Sequence, residues 1–262
     1  MERPVKNKKR LLLNVLIALC AAGMVFCAVM FVIPLIEYSA GDQLYADLAK
    51  AEVTQPALQA TLPPEATPTP KPQFQPDFEM LKGINNDIAG WLISEGTVIN
   101  YPVVQGSDNS YYLSHLFNGS RNRMGTLFID CDNAPAFEDS NTIIYGHHMK
   151  SGAMFASLLG YREQTYYNAY PTMLLLTPEG NYRVELFAGY ITPAASDIYR
   201  KTFSSDDAFA QYLKDVRAKS DFFSDVEVTS QDHIITLSTC TYEYDEARYV
   251  VQGKLVKLEP QD

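Results

Sequence analysis

Cys240 and Arg248 stand on either side of a short polar run, Thr241 to Glu246, close to the C-terminal end of the chain. Ile234, Ile235 and Leu237 form a short apolar strand that ends in Ser238-Thr239-Cys240, and Ala247 to Leu255 reads as the returning strand. In such a hairpin the cysteine and the arginine lie on opposed strands at the same loop end, roughly 4.5–8 Å apart. A fixed positive charge beside a thiol favours the thiolate, which is the nucleophilic form. Arginine stays protonated and can also donate paired hydrogen bonds to an oxyanion. The competing reading of the same residues is a buried structural cysteine with Arg248 paired to Asp245 or Glu246.

A nucleophilic cysteine needs a group that manages protons. The histidines are His115, His147, His148 and His233. His147 and His148 close the apolar strand Ile143-Ile144-Tyr145-Gly146, and neighbours on a strand point to opposite faces, so one of the two enters a given site. Strand parity alone leaves the choice open. His233 opens the strand that leads to Cys240 and belongs at its far end. His115 lies among aromatics in Tyr111 to Phe117 and reads as a packed or capping residue. Paired histidines with no third ligand at a suitable spacing do not make a zinc site, and Asp130, Asp132 and Asp139 are too irregular for a calcium loop. No cofactor and no metal is expected.

These side chains need a scaffold, and the chain from residue 77 onward supplies one. Short strand-like runs span residues 97–104, 125–130, 141–147, 172–177, 182–191, 233–240 and 247–256, with turn residues such as Pro178-Glu179-Gly180-Asn181 between them. Asp77 is placed to cap a helix whose apolar spacing runs Phe78, Leu81, Ile84, Ile88. Ser205 is placed to cap another with the stripe Phe209, Tyr212, Leu213, Val216. Many strands and few helices predict a mostly β barrel or sandwich with accessory helices.

Residues 11–36 are uncharged and longer than the ~20 residues a helix needs to span a bilayer. Lys6, Lys8, Lys9 and Arg10 precede them and Glu37 and Asp42 follow, which predicts a cytoplasmic tail at 1–10, a transmembrane anchor at 11–36 and an extracytoplasmic remainder. A lipoprotein signal is the competing reading, but Leu19 and Phe26 precede Cys20 and Cys27 where small residues belong. Residues 37–76 read as a juxtamembrane segment, with weak helical spacing at Leu44 and Leu48, and a spacer carrying seven prolines. The domain is 77–262. A net charge of −10 without a basic stripe excludes nucleic acid as a partner. Two cysteines in the domain, Cys131 and Cys240, do not make a disulfide framework, although they could pair with each other.

The segment IITLSTCTYEYDEARYVV, residues 234–251, resembles the TLxTC…R signature of the sortases. NTIIYGHHMKSGAMFASL, residues 141–158, and WLISEGTVINYPVVQGSDNSYYLSHLF, residues 91–117, are similar to segments of class B members of that family. The resemblance implies a closed β-barrel with accessory helices behind a membrane anchor and a Pro-rich linker. It also implies a catalytic set of His147, Cys240 and Arg248, with Ser238 and Thr239 lining the substrate approach. The implied reaction is transpeptidation. Cys240 cleaves a C-terminal sorting motif of secreted proteins through a thioester, and the cargo passes to an amine of peptidoglycan or its lipid-linked precursor. A backbone N–H near Thr239 or Thr241 would assist Arg248 at the oxyanion. The alternatives are a sortase that polymerises pilins, a thiol hydrolase, and a catalytically silent surface-binding module.

Overall fold

A computed structural model describes residues 5–50, 74–241 and 243–259. The chain divides into two compact units, Met1–Leu44 and Tyr45–Asp262. Helix α1 spans Val5–Leu48, 44 residues, or about 66 Å at the usual rise. The apolar side chains described between Leu11 and Ile36 are exposed, and among the described residues α1 is the one helix long and apolar enough to cross a membrane. The weak helical spacing after Tyr38 is thus realised as far as Leu48. The Pro-rich spacer lies almost wholly outside the described residues.

The second unit is a closed barrel of eight strands in the order β1-β2-β3-β4-β7-β8-β6-β5. The strands are β1 (Ile88–Ile93), β2 (Asn100–Val104), β3 (Leu127–Ile129), β4 (Asn141–Tyr145), β5 (Thr172–Thr177), β6 (Gly180–Pro193), β7 (Ile234–Cys240) and β8 (Ala247–Lys257). Closure leaves no unpaired strand edge. β2 with β3 and β4 with β7 are parallel, and the other neighbouring pairs are antiparallel. The remaining helices are α2 (Phe78–Ile84), α3 (Gln164–Ala169) and α4 (Asp206–Ala218).

Both expected caps are present: Asp77 accepts from the Met80 amide at 3.0 Å, and Ser205 from the Ala208 amide at 3.2 Å. The first helix is shorter than its apolar spacing predicts. Asn85 takes an extended conformation, and its side-chain amide donates to the Tyr112 hydroxyl and the Phe117 carbonyl. Helix α2 therefore stops, and Ile88 opens β1 instead of a fourth helical position.

Helix α4 packs Phe209, Tyr212, Leu213 and Val216 against Ala188, Tyr190, Ile234 and Val250. Side chains alternate along a strand, so the face of β7 carrying Ile234, Thr236, Ser238 and Cys240 is the outer one. Leu237 and Thr239 face the interior, as do Ile144 and Gly146 on β4. A Cβ on Gly146 would lie 2.5 Å from Leu127 Cδ2 and 2.6 Å from Phe155 Cδ2. Phe155 is fully buried, so neither neighbour can give way cheaply. Gly146→Ala is expected to cost about 1–3 kcal/mol, read as a fall in melting temperature; unchanged melting would contradict this packing.

Candidate active site

The β7–β8 register places Cys240 directly opposite Arg248. Cys240 is exposed, and all four cysteines are free thiols. A hydrogen bond from the Thr241 amide to the Ala247 carbonyl, at 3.1 Å, closes the hairpin end. The Thr241 amide is thus already engaged within the hairpin. The Thr241 hydroxyl donates to Glu243, and Glu243 pairs with Arg162 from the 3₁₀ segment Phe155–Arg162. The Thr241 bond and the Arg162 charge hold the Glu243 carboxyl below its ordinary range. The loop beside Cys240 is therefore tied to the barrel wall.

His147 lies just beyond the end of β4. Tyr145 pairs with Ser238 in the parallel β4–β7 register, and the Gly146 amide donates to the Ser238 carbonyl at 3.1 Å. β4 ends at Tyr145, and the same register carried two residues further points His147 toward the Cys240 end of β7. Its Nε2 lies 2.7 Å from the Leu113 carbonyl. His148 is also close, with Nδ1 at 3.1 Å from the Cys240 carbonyl. His233 is at the far end of β7, on the Asp139 carbonyl, and the His115 ring stacks on Tyr111 at 4.0 Å. Both match the sequence expectation.

Ser238 and Thr239, each only 2% exposed, part company. The Ser238 hydroxyl shares the Cys240 face and meets the Tyr199 hydroxyl at 2.9 Å. Thr239 faces inward and donates to the Gly146 carbonyl at 2.8 Å, so its side chain is not brought to that face and instead holds the turn that carries His147. Tyr249, read as core, is fully buried. Tyr145, also read as core, is half-buried on the Cys240 face with its ring 6.1 Å from Tyr199. Sequence reasoning missed Tyr199, which comes from an irregular connection. It also missed the Leu113 carbonyl, which no side-chain pattern could signal.

The geometry pairs an exposed thiol with a guanidinium and an imidazole on one rim of a closed barrel. The Sortase domain family matches residues 94–256. Sortase B of Listeria monocytogenes is 39% identical over 217 residues, covering 82% of this chain and 85% of that protein. The chain belongs to the sortase family. Sortase B of Staphylococcus aureus is 38% identical over 186 residues, covering 70% of this chain and 76% of that protein. The crystal structure of S. aureus Sortase B superposes with a TM-score of 0.67 at 38% identity, over 70% of this chain and 88% of that one. A Bacillus anthracis sortase B structure gives 0.72 at 32% identity, over 86% and 100%. The chain is thus a class B sortase, a cysteine transpeptidase, and its closed barrel is the fold of those structures.

Behind the sortase rim, Asp130, Cys131 and Asp132 bring their ligand atoms within 4.8 Å of one another. The Lys201 ammonium sits 2.9 Å from Asp130 and 3.5 Å from Asp132, where a metal ion would otherwise be drawn. Burial alone would raise the Asp130 carboxyl, but Lys201, the Asp132 amide and the Tyr145 hydroxyl together hold it below the ordinary range. A carboxyl depressed in the folded state contributes stability above its unfolded pKa of about 3.9, and loses it as pH falls through the folded value. Asp130→Asn is therefore expected to melt lower than the parent at neutral pH. Melting curves on acidification should show the gap closing below about pH 4; a constant gap would exclude the linkage.

Proposed function

We propose that Cys240 is the nucleophile, Arg248 the oxyanion donor and His147 the acid–base group of this sortase. The observation that carries the reading is the direct register pairing of Cys240 with Arg248 at the exposed end of β7. The Cys240 thiolate attacks the carbonyl carbon of a threonine in a C-terminal sorting motif, and Arg248 steadies the tetrahedral oxyanion. The C–N bond then breaks, and His147 protonates the leaving amine. The resulting thioester is attacked by a second amine, whose proton His147 takes, and the thiolate is released. Ser238 lines the approach on the same face, with Tyr199 and Tyr145 as its aromatic neighbours. Thr239 acts from behind, through Gly146.

The substrates in this reading are secreted proteins bearing the motif, and the acceptor is an amine of peptidoglycan or its lipid-linked precursor. Residues 1–10 lie in the cytoplasm, 11–36 cross the membrane, 37–76 act as spacer, and 77–262 work outside. The basic residues before the apolar helix and the acidic ones after it support that orientation. Tethering raises the enzyme's effective concentration for two substrates that meet at the same surface.

The test is intact-mass analysis of the full chain in detergent with motif peptides, with and without an amine acceptor. A thioester on Cys240 that the amine converts to a new amide is the expected result. Release by water at an equal rate with or without amine would mark a hydrolase instead.

A further inference from the structure

The Arg248 guanidinium is already occupied by an anion from its own loop. Its NH2 donates to Glu246 Oε2 at 2.9 Å, and its NH1 donates to the Ala247 carbonyl at 3.1 Å. The Glu246 backbone is set for this. Its φ of 58° is left-handed, a region that glutamate seldom adopts, and its carbonyl accepts from the Ala194 amide at 2.9 Å, which joins the loop to the end of β6. The Arg248 side chain is 24% exposed and that of Glu246 71% exposed. The carboxylate thus approaches from solvent and covers a guanidinium that is itself largely sheltered.

Resting on the assignment of Cys240 and Arg248 above, we infer that Glu246 is a counter-ion that restrains Cys240. It offsets part of the positive field that Arg248 casts on the thiol, and it occupies a guanidinium donor until the oxyanion displaces it. An exposed carboxylate pairs weakly in water, so it yields to an anion formed on the sheltered side. The other titratable groups facing the pair, among the described residues, come from several elements. Tyr199 precedes α4, Glu243, Tyr244 and Asp245 are in the loop, Arg162 pairs with Glu243, and His148 follows β4. All of them remain in the variants below, so a difference between variants reports Glu246 alone.

The experiment is site-resolved alkylation of the full chain in detergent by iodoacetamide across neutral pH, with Cys240 and Cys131 separated by mass spectrometry. A unit charge roughly 8 Å away in largely aqueous surroundings changes a thiolate population about threefold. Glu246→Gln is expected to speed Cys240 alkylation by about that factor. The gain should shrink in molar salt. Glu246→Gly, which also relieves the left-handed strain, should give the same gain and guards against misfolding of the first variant. Acylation kcat/KM should rise in parallel in both. An unchanged profile, or a fall in alkylation and kcat/KM together, would overturn the inference, the second by making Glu246 a positioning residue. Arg248→Gln separates the two readings: if it leaves the Cys240 profile unmoved, the assignment of Arg248 fails. If it slows alkylation while Glu246→Gln does nothing, only the role of Glu246 fails.

Discussion

Cys240→Ala should leave no acyl adduct on the chain and lower peptide transfer by at least about ten-thousandfold, the usual loss when a covalent nucleophile is removed. Unfolding stability should change by no more than a neutral surface substitution does, about 0.5 kcal/mol, because Cys240 is exposed at the end of its strand. Cys240→Ser should not restore transfer, since a hydroxyl ionises far less readily than a thiol and a neighbouring arginine does not close that gap. Cys131 provides the control. It is a free thiol beside Asp130 and Asp132, and burial, then those two carboxylates, push it up toward the neutral form. Cys131→Ala is therefore expected to transfer peptide at the parental rate. An adduct that survives Cys240→Ala and disappears with Cys131→Ala would move the chemistry to the wrong end of the sheet and end the present reading. Intact-mass spectra of the three variants with one motif peptide decide it.

The parts of this architecture legible in the sequence are those where one local signal had no competitor. Ser205 with its apolar stripe gave α4, and Pro178-Glu179 gave the β5–β6 turn, where Thr177 pairs with Gly180. The Cys240–Arg248 pairing followed from two strands and a turn. Ile88 was misleading because four apolar residues at helical spacing looked like one helix. The spacing carried no trace of the Asn85 side chain, which binds Tyr112 and the Phe117 carbonyl, far along the chain. Ser238 and Thr239 looked equivalent, and only α4 lying on one face of β7 fixes which of them shares the face of Cys240. Glu246 was visible as a partner for Arg248, but as an argument against catalysis. With Cys240 exposed and in register, the same ion pair becomes part of the site's electrostatics.

The remaining choice, between two adjacent imidazoles, turns on what their ring nitrogens hold. A carbonyl only accepts, so the 2.7 Å contact to Leu113 puts the His147 proton on Nε2 when the ring is neutral. Proton exchange in the proposed reaction would then run through Nδ1. The ring cannot flip without abandoning that bond, and the space beneath it is kept by Gly125, where a Cβ would come within 3.3 Å of His147 Cδ2 and 2.4 Å of the Tyr112 carbonyl. His148 holds its Nδ1 against the backbone carbonyl of Cys240, so it steadies the strand end that carries Cys240. His147→Ala is therefore expected to lower kcat/KM by about a hundredfold to ten-thousandfold, the range for a lost acid–base group. It should also flatten the limb of the pH–rate profile that this imidazole sets. His148→Ala should cost no more than about tenfold, one backbone-orienting hydrogen bond, with the profile's shape kept. Steady-state transfer measured across pH for both variants separates the roles, because a structural loss scales the whole curve whereas a lost proton carrier changes its form. If His148→Ala were the variant that flattened the profile, the Leu113 contact would be holding the wrong ring, and the acid–base role would pass to His148.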